Sequence, residues 1–96
     1  MWVLRTTNEA DASFTFRMSP GSIKTMGRSP GAEFIVEAAM VSRLHCRLTA
    51  GAIEVQVNDL ESTNGTFVNG QRVTQASLKV GDTLGVGRVE WVVTRE

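Results

Sequence analysis

Apolar residues occur along this chain in short runs, in which they alternate with polar residues. The alternation is strict in residues 44–49, where Leu44, Cys46 and Leu48 fall on one face, and in residues 53–58, which begin with Ile53. A period of two predicts strands with one buried and one exposed face. Comparable runs recur about every 8–12 residues, the spacing typical of an all-β sandwich or barrel, and no long stretch has the period of a helix.

Turn-forming residues separate the runs. Asn64-Gly65 and Asn69-Gly70 are each expected to form a type I′ turn, because Asn-Gly readily adopts positive φ values. Residues 37–42 tolerate a helix but are too few for a stable one. Loops or turns are predicted at residues 7–12, 19–21, 29–31, 50–51 and 78–82. Further strands are predicted at residues 2–6, 14–18, 23–26, 34–36, 66–68, 72–73, 83–86 and 89–93.

Length and charge limit the class of protein. The chain has 96 residues, below the usual domain size of about 100–200 residues, so we expect one domain. Ten Lys and Arg balance ten Asp and Glu, which gives a formal net charge of zero. A domain held to nucleic acid by phosphate neutralisation needs an excess of basic residues, so we expect no direct nucleic-acid partner. One local cationic pocket remains compatible with this balance.

The cysteine content and the start of the chain bear on its compartment. Cys46 is the only cysteine, so the chain can form no internal disulfide, which favours a reducing environment. The first residues lack the apolar run of a signal peptide, and no 18-residue apolar span occurs. We therefore expect an intracellular protein with no membrane partner.

The inventory of reactive side chains argues against an enzyme. His45 and Cys46 are the only His and Cys, and neighbours in one strand point to opposite faces, so we expect no base–nucleophile pair. A zinc site needs three or four ligands, and we expect neither a metal nor another cofactor. Glu33 and Glu37 are interpreted as solvated loop charges. A small hydrolase with an unrecognised site is the remaining enzymatic alternative, and the lack of a base argues against it.

The polar residues at loop positions form a specific pattern. The chain contains, in order, Gly-Arg at 27–28, Ser-x-x-His at 42–45, Asn-Gly-Thr-x-Val-Asn-Gly at 64–70 and Leu-x-x-Gly-Asp at 78–82. These four pieces, in this order and at these separations, resemble the forkhead-associated (FHA) domain family, whose members bind phosphothreonine peptides.

The resemblance implies an all-β fold: a two-sheet antiparallel β-sandwich of about eleven strands, with ligand-binding loops at one end. It implies that Arg28 forms a salt bridge with the phosphate, that Ser42 gives it a hydroxyl hydrogen bond, and that Arg43 reaches the phosphate or the peptide backbone. Thr63 would contact the ligand beside the phosphothreonine, and Asn64 would hold the peptide main chain. Structural support of the site is implied for Gly27, His45, Gly65, Asn69 and Gly70.

The physical chemistry agrees with this assignment. Phosphothreonine carries roughly −1.5 to −2 charges at neutral pH, and Arg presents a planar fork to its oxygens that Lys lacks. Each charge-assisted hydrogen bond contributes about 1.5–3 kcal/mol, so two or three suffice to make binding conditional on phosphorylation. The alternative is an FHA-like structural sandwich that docks another protein without needing phosphate.

The opening residues, 1–4, suggest a narrower resemblance. They are similar to the start of nibrin-like DNA-damage-response proteins, whose chains begin with an FHA domain. This resemblance implies a nuclear location, phosphothreonine partners in the DNA-damage response, and residues 1–96 as a single FHA domain excised from a longer chain. The sequence leaves open the oligomeric state, the kinase and the residues preferred around the phosphothreonine.

Overall fold

The computed structural model describes residues 1–7 and 13–96, so most of the loop predicted at residues 7–12 lies outside the described residues. Each predicted strand is present, and one further strand, at residues 75–78, was not predicted. Within the described residues there are eleven strands: β1 (Trp2–Thr6), β2 (Thr15–Met18), β3 (Ile23–Gly27), β4 (Phe34–Ile35), β5 (Cys46–Ala50), β6 (Val55–Asp59), β7 (Thr66–Val68), β8 (Gln71–Val73), β9 (Gln75–Leu78), β10 (Thr83–Val86) and β11 (Val89–Arg95).

In the described part of the chain the strands form two sheets. The first has six strands in the order β2-β1-β11-β10-β7-β8, and the second has five in the order β4-β3-β5-β6-β9. Neighbouring strands are antiparallel except β3 and β4, which pair in parallel. The predicted all-β, two-sheet sandwich of about eleven strands is therefore confirmed.

The core lies between the two sheets and is filled by the inward residues of alternating strands. Trp2 and Trp91 of the first sheet are completely buried, and each indole N–H donates to a backbone carbonyl, of Gly51 at 2.9 Å and of Phe14 at 3.1 Å. Burying a large apolar side chain contributes about 1.5–3 kcal/mol. The second sheet supplies the buried residues Met26, Cys46, Leu48, Val55 and Val57.

Two details of the predicted alternation are wrong. Leu44 was expected to face the core, but 49% of its surface is exposed, whereas His45 is completely buried. Strand β5 begins only at Cys46, so the period of two does not extend to these two residues. Ile53 is likewise 74% exposed because it lies in the turn before β6, which Gly51 closes by donating its N–H to the carbonyl of Glu54 at 2.8 Å.

The two Asn-Gly pairs adopt different conformations. Asn69 and Gly70 have φ values of 51° and 80°, as a type I′ turn requires, and they join β7 to β8. Asn64 does not have a positive φ, although Gly65 does, at 91°. The type I′ prediction is therefore right for the second pair and wrong for the first. In the loop containing Asn64 the positive φ values belong to Gly65 and to Glu61, whose φ is 54°.

The sandwich has two distinct ends. The end of β3 and the starts of β5 and β7 lie at one of them, together with the β10–β11 turn, where Gly87 approaches Ala39. Both chain termini lie at the other, where the N–H of Glu96 donates to the carbonyl of Met1 at 2.9 Å. Among the described residues no helix is long and apolar enough to cross a membrane.

Candidate functional site

A pocket of about 630 Å³ opens at the end of the sandwich away from the termini. It is formed where three loops meet: the one after β3, the one before β5 and the one before β7. We call it the arginine pocket. Its lining residues are Arg28, Ser29, Gly31, Ser42, Arg43, Leu44, Glu61 and Thr63.

Main-chain contacts bring the first two loops together. The N–H of Arg28 donates to the carbonyl of Ser42 at 2.9 Å, and that of Ser29 donates to the carbonyl of Arg43 at 3.1 Å. Gly27 lies against the second loop so closely that a Cβ there would overlap the carbonyl oxygen of Arg43. The absence of a side chain at Gly27 thus allows Arg28 to stand beside Ser42 and Arg43.

The third loop is joined to the second through Ser42. The hydroxyl oxygen of Ser42 accepts a hydrogen bond from the N–H of Thr63 at 3.1 Å. Because that bond uses a lone pair, the hydroxyl hydrogen remains able to donate to an acceptor in the pocket. A serine held in this way is oriented before any ligand arrives.

Asp59 fixes the shape of the third loop. Its carboxylate accepts hydrogen bonds from the N–H and the hydroxyl of Ser62, at 3.1 and 2.5 Å, and from the hydroxyl of Thr66, at 2.7 Å. Burial acts to raise the pKa of Asp59, but the bonds from Ser62 and Thr66 together outweigh it, so the pKa lies below its ordinary value. The ionised carboxylate is the form that accepts all three bonds.

His45 joins the second and third loops by hydrogen bonds from the interior of the protein. Its Nδ1 accepts the N–H of Ser42 at 3.0 Å, so its Nε2 carries the proton and donates to the carbonyl of Gly65 at 2.8 Å. The imidazole is completely buried. His45 therefore braces the pocket from inside the protein and does not line it.

The arginine pocket carries two cations that are free to engage an anion. Arg28 and Arg43 are exposed, and within residues 1–7 and 13–96 neither guanidinium takes part in a salt bridge or hydrogen bond. A pocket with two guanidinium groups and an oriented hydroxyl is suited to a tetrahedral oxyanion. Glu61 is the acidic residue in its lining.

A second, smaller pocket adjoins the first. It has a volume of about 410 Å³, and Arg28 lines both. Its other lining residues are Glu37, Ala38 and Ala39. Glu37 is therefore close to the site, whereas Glu33 is engaged at a strand, where its carboxylate accepts the N–H of Thr25 at 2.6 Å.

The structure gathers most, but not all, of the predicted site residues. Arg28, Ser42, Arg43 and Thr63 line one pocket, but Asn64 does not, and its side-chain amide donates to the carbonyl of Met40 at 3.1 Å. The turn at residues 69–70 lies at the opposite end of β7. There Asn69 accepts the N–H of Thr83 at 3.0 Å, so this turn holds a hairpin against β10 at a distance from the pocket.

Four lining residues were not among those predicted to bind the ligand: Ser29, Gly31, Leu44 and Glu61. Ser29 and Gly31 belong to a predicted turn, and turn propensity alone does not distinguish a turn that lines a pocket from any other. Leu44 was assigned to the core by its alternation. Glu61 adjoins Ser62 and Thr63 in the same polar loop, but no ligand contact was predicted for it.

The expectation that His45 and Cys46 point to opposite faces of one strand is wrong, because His45 precedes β5 and both side chains are buried. Other observations still argue against a catalytic pair. Both ring nitrogens of His45 are hydrogen-bonded, and burial, together with the charge of Asp59, raises the pKa of the Cys46 thiol to about 12. Among the described residues no group of three His, Cys, Asp or Glu could hold a metal ion.

The chain belongs to the FHA domain family, since the family model matches residues 24–87, more than half of it. It is a small, non-catalytic FHA domain, as predicted.

Two curated relatives are bacterial. The ABC transporter ATP-binding/permease protein Rv1747 of Mycobacterium tuberculosis is 33% identical over 78 residues, which cover 81% of this chain and 9% of that protein. The glycogen accumulation regulator GarA of Mycolicibacterium smegmatis is 36% identical over 66 residues, which cover 69% of this chain and 42% of the regulator. The chain therefore spans less than half the length of either.

Solved structures agree on the fold. The FHA domain of CT664 from Chlamydia trachomatis superimposes with a TM-score of 0.89 at 22% identity, covering 99% of this chain and 97% of that one. A structure from a structural and functional analysis of phosphothreonine-dependent FHA domain interactions has a TM-score of 0.82 at 28% identity, covering 99% and 96%.

These relatives do not support the narrower resemblance to nibrin-like proteins. That resemblance rested on residues 1–4, which lie outside the matched span of 24–87. The sequence of residues 2–4 is accounted for by their structure, since they begin β1 and are completely buried. The expected nuclear location and the DNA-damage setting lose their support with it.

Proposed function

We propose that this domain binds phosphothreonine-containing peptides in the arginine pocket. The observation that carries the proposal is the pair of exposed guanidinium groups, Arg28 and Arg43, beside the oriented hydroxyl of Ser42. A phosphate of roughly −2 charge could accept from all three groups, and each bond would contribute about 1.5–3 kcal/mol. Affinity near the micromolar level, about −8 kcal/mol, is the expectation for a short peptide on preformed loops.

Each residue predicted to contact the ligand has a part in this proposal. Arg28 and Arg43 would bind the phosphate oxygens through their N–H groups, and Ser42 would donate its hydroxyl hydrogen. Thr63 would contact the ligand beside the phosphate. Asn64 would hold the peptide main chain from beside the pocket; its amide nitrogen bonds to Met40 in the free domain, which leaves the amide oxygen to accept a peptide N–H.

The relatives bear on the setting of this binding. A regulator and a membrane transporter carry similar segments in bacteria, and a solved FHA domain at 28% identity comes from work on phosphothreonine-dependent interactions. We therefore propose a role in bacterial Ser/Thr kinase signalling inside the cell, in place of the DNA-damage response. Residues 1–96 are proposed to act as one domain that brings a longer host protein to a phosphorylated partner.

The test is titration calorimetry of the purified domain with peptides selected from an oriented phosphothreonine library. Each selected peptide is compared with its unphosphorylated form and with its phosphoserine form. We expect binding to the phosphothreonine form and at least tenfold weaker binding without phosphate, since even one lost charge-assisted bond is about 1.5 kcal/mol. Equal affinity without phosphate would instead favour phosphate-independent docking.

Variants locate the binding surface. Arg28→Ala should weaken phosphopeptide binding at least tenfold, by about 1.4 kcal/mol or more, and leave folding intact because its side chain is exposed. The matched control is Arg47→Ala, an exposed arginine of β5 that does not line the pocket. Loss of affinity in both variants to the same extent would remove the arginine pocket from the proposal.

A further inference from the structure

We propose that Glu61, assisted by Glu37, makes the arginine pocket selective for phosphothreonine that has basic residues beside it. The inference rests on the proposed function and specifies its ligand. Glu61 lines the same pocket as Arg28 and Arg43, and Glu37 lines the adjoining pocket that shares Arg28. A carboxylate repels an anion, so glutamates are not expected in the lining of an anion-binding pocket.

The backbone of Glu61 is fixed. It lies between Asp59 and Ser62, whose N–H and hydroxyl are both hydrogen-bonded to the Asp59 carboxylate. The hydroxyl of Ser62 in turn accepts the N–H of Gly65 at 3.0 Å. Glu61 itself has a φ of 54°, a conformation that a residue with a side chain adopts rarely and at a cost in stability. The loop therefore holds the backbone of this exposed residue at the pocket.

Within the described residues, Glu61 forms no salt bridge with either arginine of the pocket. Among the described residues, the salt bridges join Glu96 to Arg5 and Arg17, and none involves Glu61, Arg28 or Arg43. Its carboxylate is exposed and is available to a ligand. Glu37 is exposed as well.

The balance of charge around Arg28 favours a particular ligand. Two arginines and two glutamates line the two pockets, so their formal charges cancel before a ligand binds. A bound phosphate adds roughly two negative charges and leaves an excess of negative charge. Lys or Arg in the peptide beside the phosphothreonine would offset that excess, whereas Asp or Glu would add to it.

The test uses three phosphothreonine peptides that differ only in the two residues on each side of the phosphothreonine, which are Lys, Ala or Glu. Calorimetry compares the wild-type domain with Glu61→Gln, Glu37→Gln and the double variant. The matched control is Glu54→Gln, which makes the same change of charge at the opposite end of the sandwich, where Glu54 bonds to Ser77. An unphosphorylated form of the Lys peptide tests the proposed function separately.

We expect the wild-type domain to prefer the Lys peptide over the Glu peptide by roughly fivefold, the effect of one exposed ion pair of about 1 kcal/mol. The preference should fall toward one in the double variant, mostly through Glu61→Gln, and persist in Glu54→Gln. Raising the salt concentration should reduce it.

Other results overturn the inference. If the wild-type domain binds the phosphorylated Lys and Glu peptides equally, or if the double variant keeps the preference, selection by Glu61 and Glu37 is refuted. Phosphothreonine binding is not refuted by either result. Equal binding of the Lys peptide with and without phosphate refutes the proposed function. Because the selectivity rests on that function, it is refuted as well.

Discussion

The main chain of Gly27 lies directly against the carbonyl group of Arg43, with no room for a side chain at residue 27. This contact joins the end of β3 to the loop before β5. The hydrogen bonds from Arg28 to Ser42 and from Ser29 to Arg43 continue it on the pocket side. Backbone contacts thus hold together the two loops that carry the arginine pocket.

Gly27→Ala should therefore disturb both stability and binding. The new Cβ meets backbone atoms that cannot rotate away, so the loop before β5 must shift. We expect a loss of about 1–3 kcal/mol in the free energy of unfolding, measured by urea denaturation, and at least tenfold weaker phosphopeptide binding. Gly31→Ala is the stability control, because a Cβ there would meet only the Ser29 hydroxyl oxygen at 3.5 Å. Equal stability of the two variants would contradict the account.

Arg28→Lys tests whether the geometry of the guanidinium matters in addition to its charge. Lys keeps the positive charge but lacks the planar fork that binds two phosphate oxygens at once. We expect calorimetry to show affinity reduced by about tenfold, the loss of one charge-assisted bond, with an unchanged melting temperature. Wild-type affinity in this variant would mean that Arg28 acts only as a point charge.

His45→Ala should destabilise the protein as well as weaken binding. The N–H of Ser42 and the carbonyl of Gly65 would lose their partner inside the protein, and each buried unpaired group costs about 1–3 kcal/mol. Urea denaturation should show a loss of at least about 2 kcal/mol. The exposed Ile53→Ala change is the control and should stay within about 0.5 kcal/mol. An unchanged unfolding curve for His45→Ala would refute the bracing role.

Acid should destabilise the loop that Asp59 organises. The pKa of Asp59 is lowered in the folded protein, since its hydrogen bonds outweigh the effect of burial. Its stabilisation is therefore present above the unfolded-state pKa of about 3.9 and is lost as the pH falls through the folded-state pKa. We expect the free energy of unfolding to decline below about pH 4.

Asp59→Asn is the matching variant. It should be less stable at neutral pH and lose less stability on acidification, as measured by urea denaturation between pH 2 and 7 (roughly the range in which carboxyl groups titrate). Glu33 and Glu96 also have lowered pKa values, so part of the acid dependence should remain. An acid dependence as steep as that of the wild type would show that Asp59 contributes nothing to it.

Glu61→Gly should stabilise the domain. Glycine adopts positive φ without the steric cost that Glu61 bears, although its greater freedom in the unfolded chain offsets part of the gain. We expect an increase of about 0.5–1 kcal/mol in the free energy of unfolding. Glu61→Gln keeps a side chain at the same φ and should show no such increase. A rise in both variants would trace the effect to charge.

The sequence predicted the strands well because burial on a sheet repeats every two residues, a signal that is visible locally. The prediction was wrong for residues that lie just outside the paired part of a strand. Leu44 and His45 continue the alternation of β5, but they precede its first paired residue, and tertiary contacts decide that His45 faces inward. Strand β9 was missed because Gln75 and Ser77 give little apolar pattern; its pairing with β6 holds it in place.

The motifs that contribute residues to the pocket could be recognised in the sequence. The full set of residues that line the pocket could not. Arg28 and Ser42 belong to separate motifs, Thr63 directly precedes a third, and the resemblance to a family brought the three residues together. That Glu61 lines the same pocket as the arginines depends on how three loops meet, which no local pattern encodes. Asn64 illustrates the same limit, because its contact with Met40 joins two loops that are distant in sequence.

The adjacency of Met1 and Glu96, at the end of the sandwich remote from the arginine pocket, has a practical outcome. A fluorophore, an affinity tag or a sensor surface attached through either residue would lie at the end of the domain opposite to the arginine pocket. Both kinds of immobilisation should then report the same phosphopeptide affinity. Either terminus is therefore a suitable attachment site for the binding measurements described above.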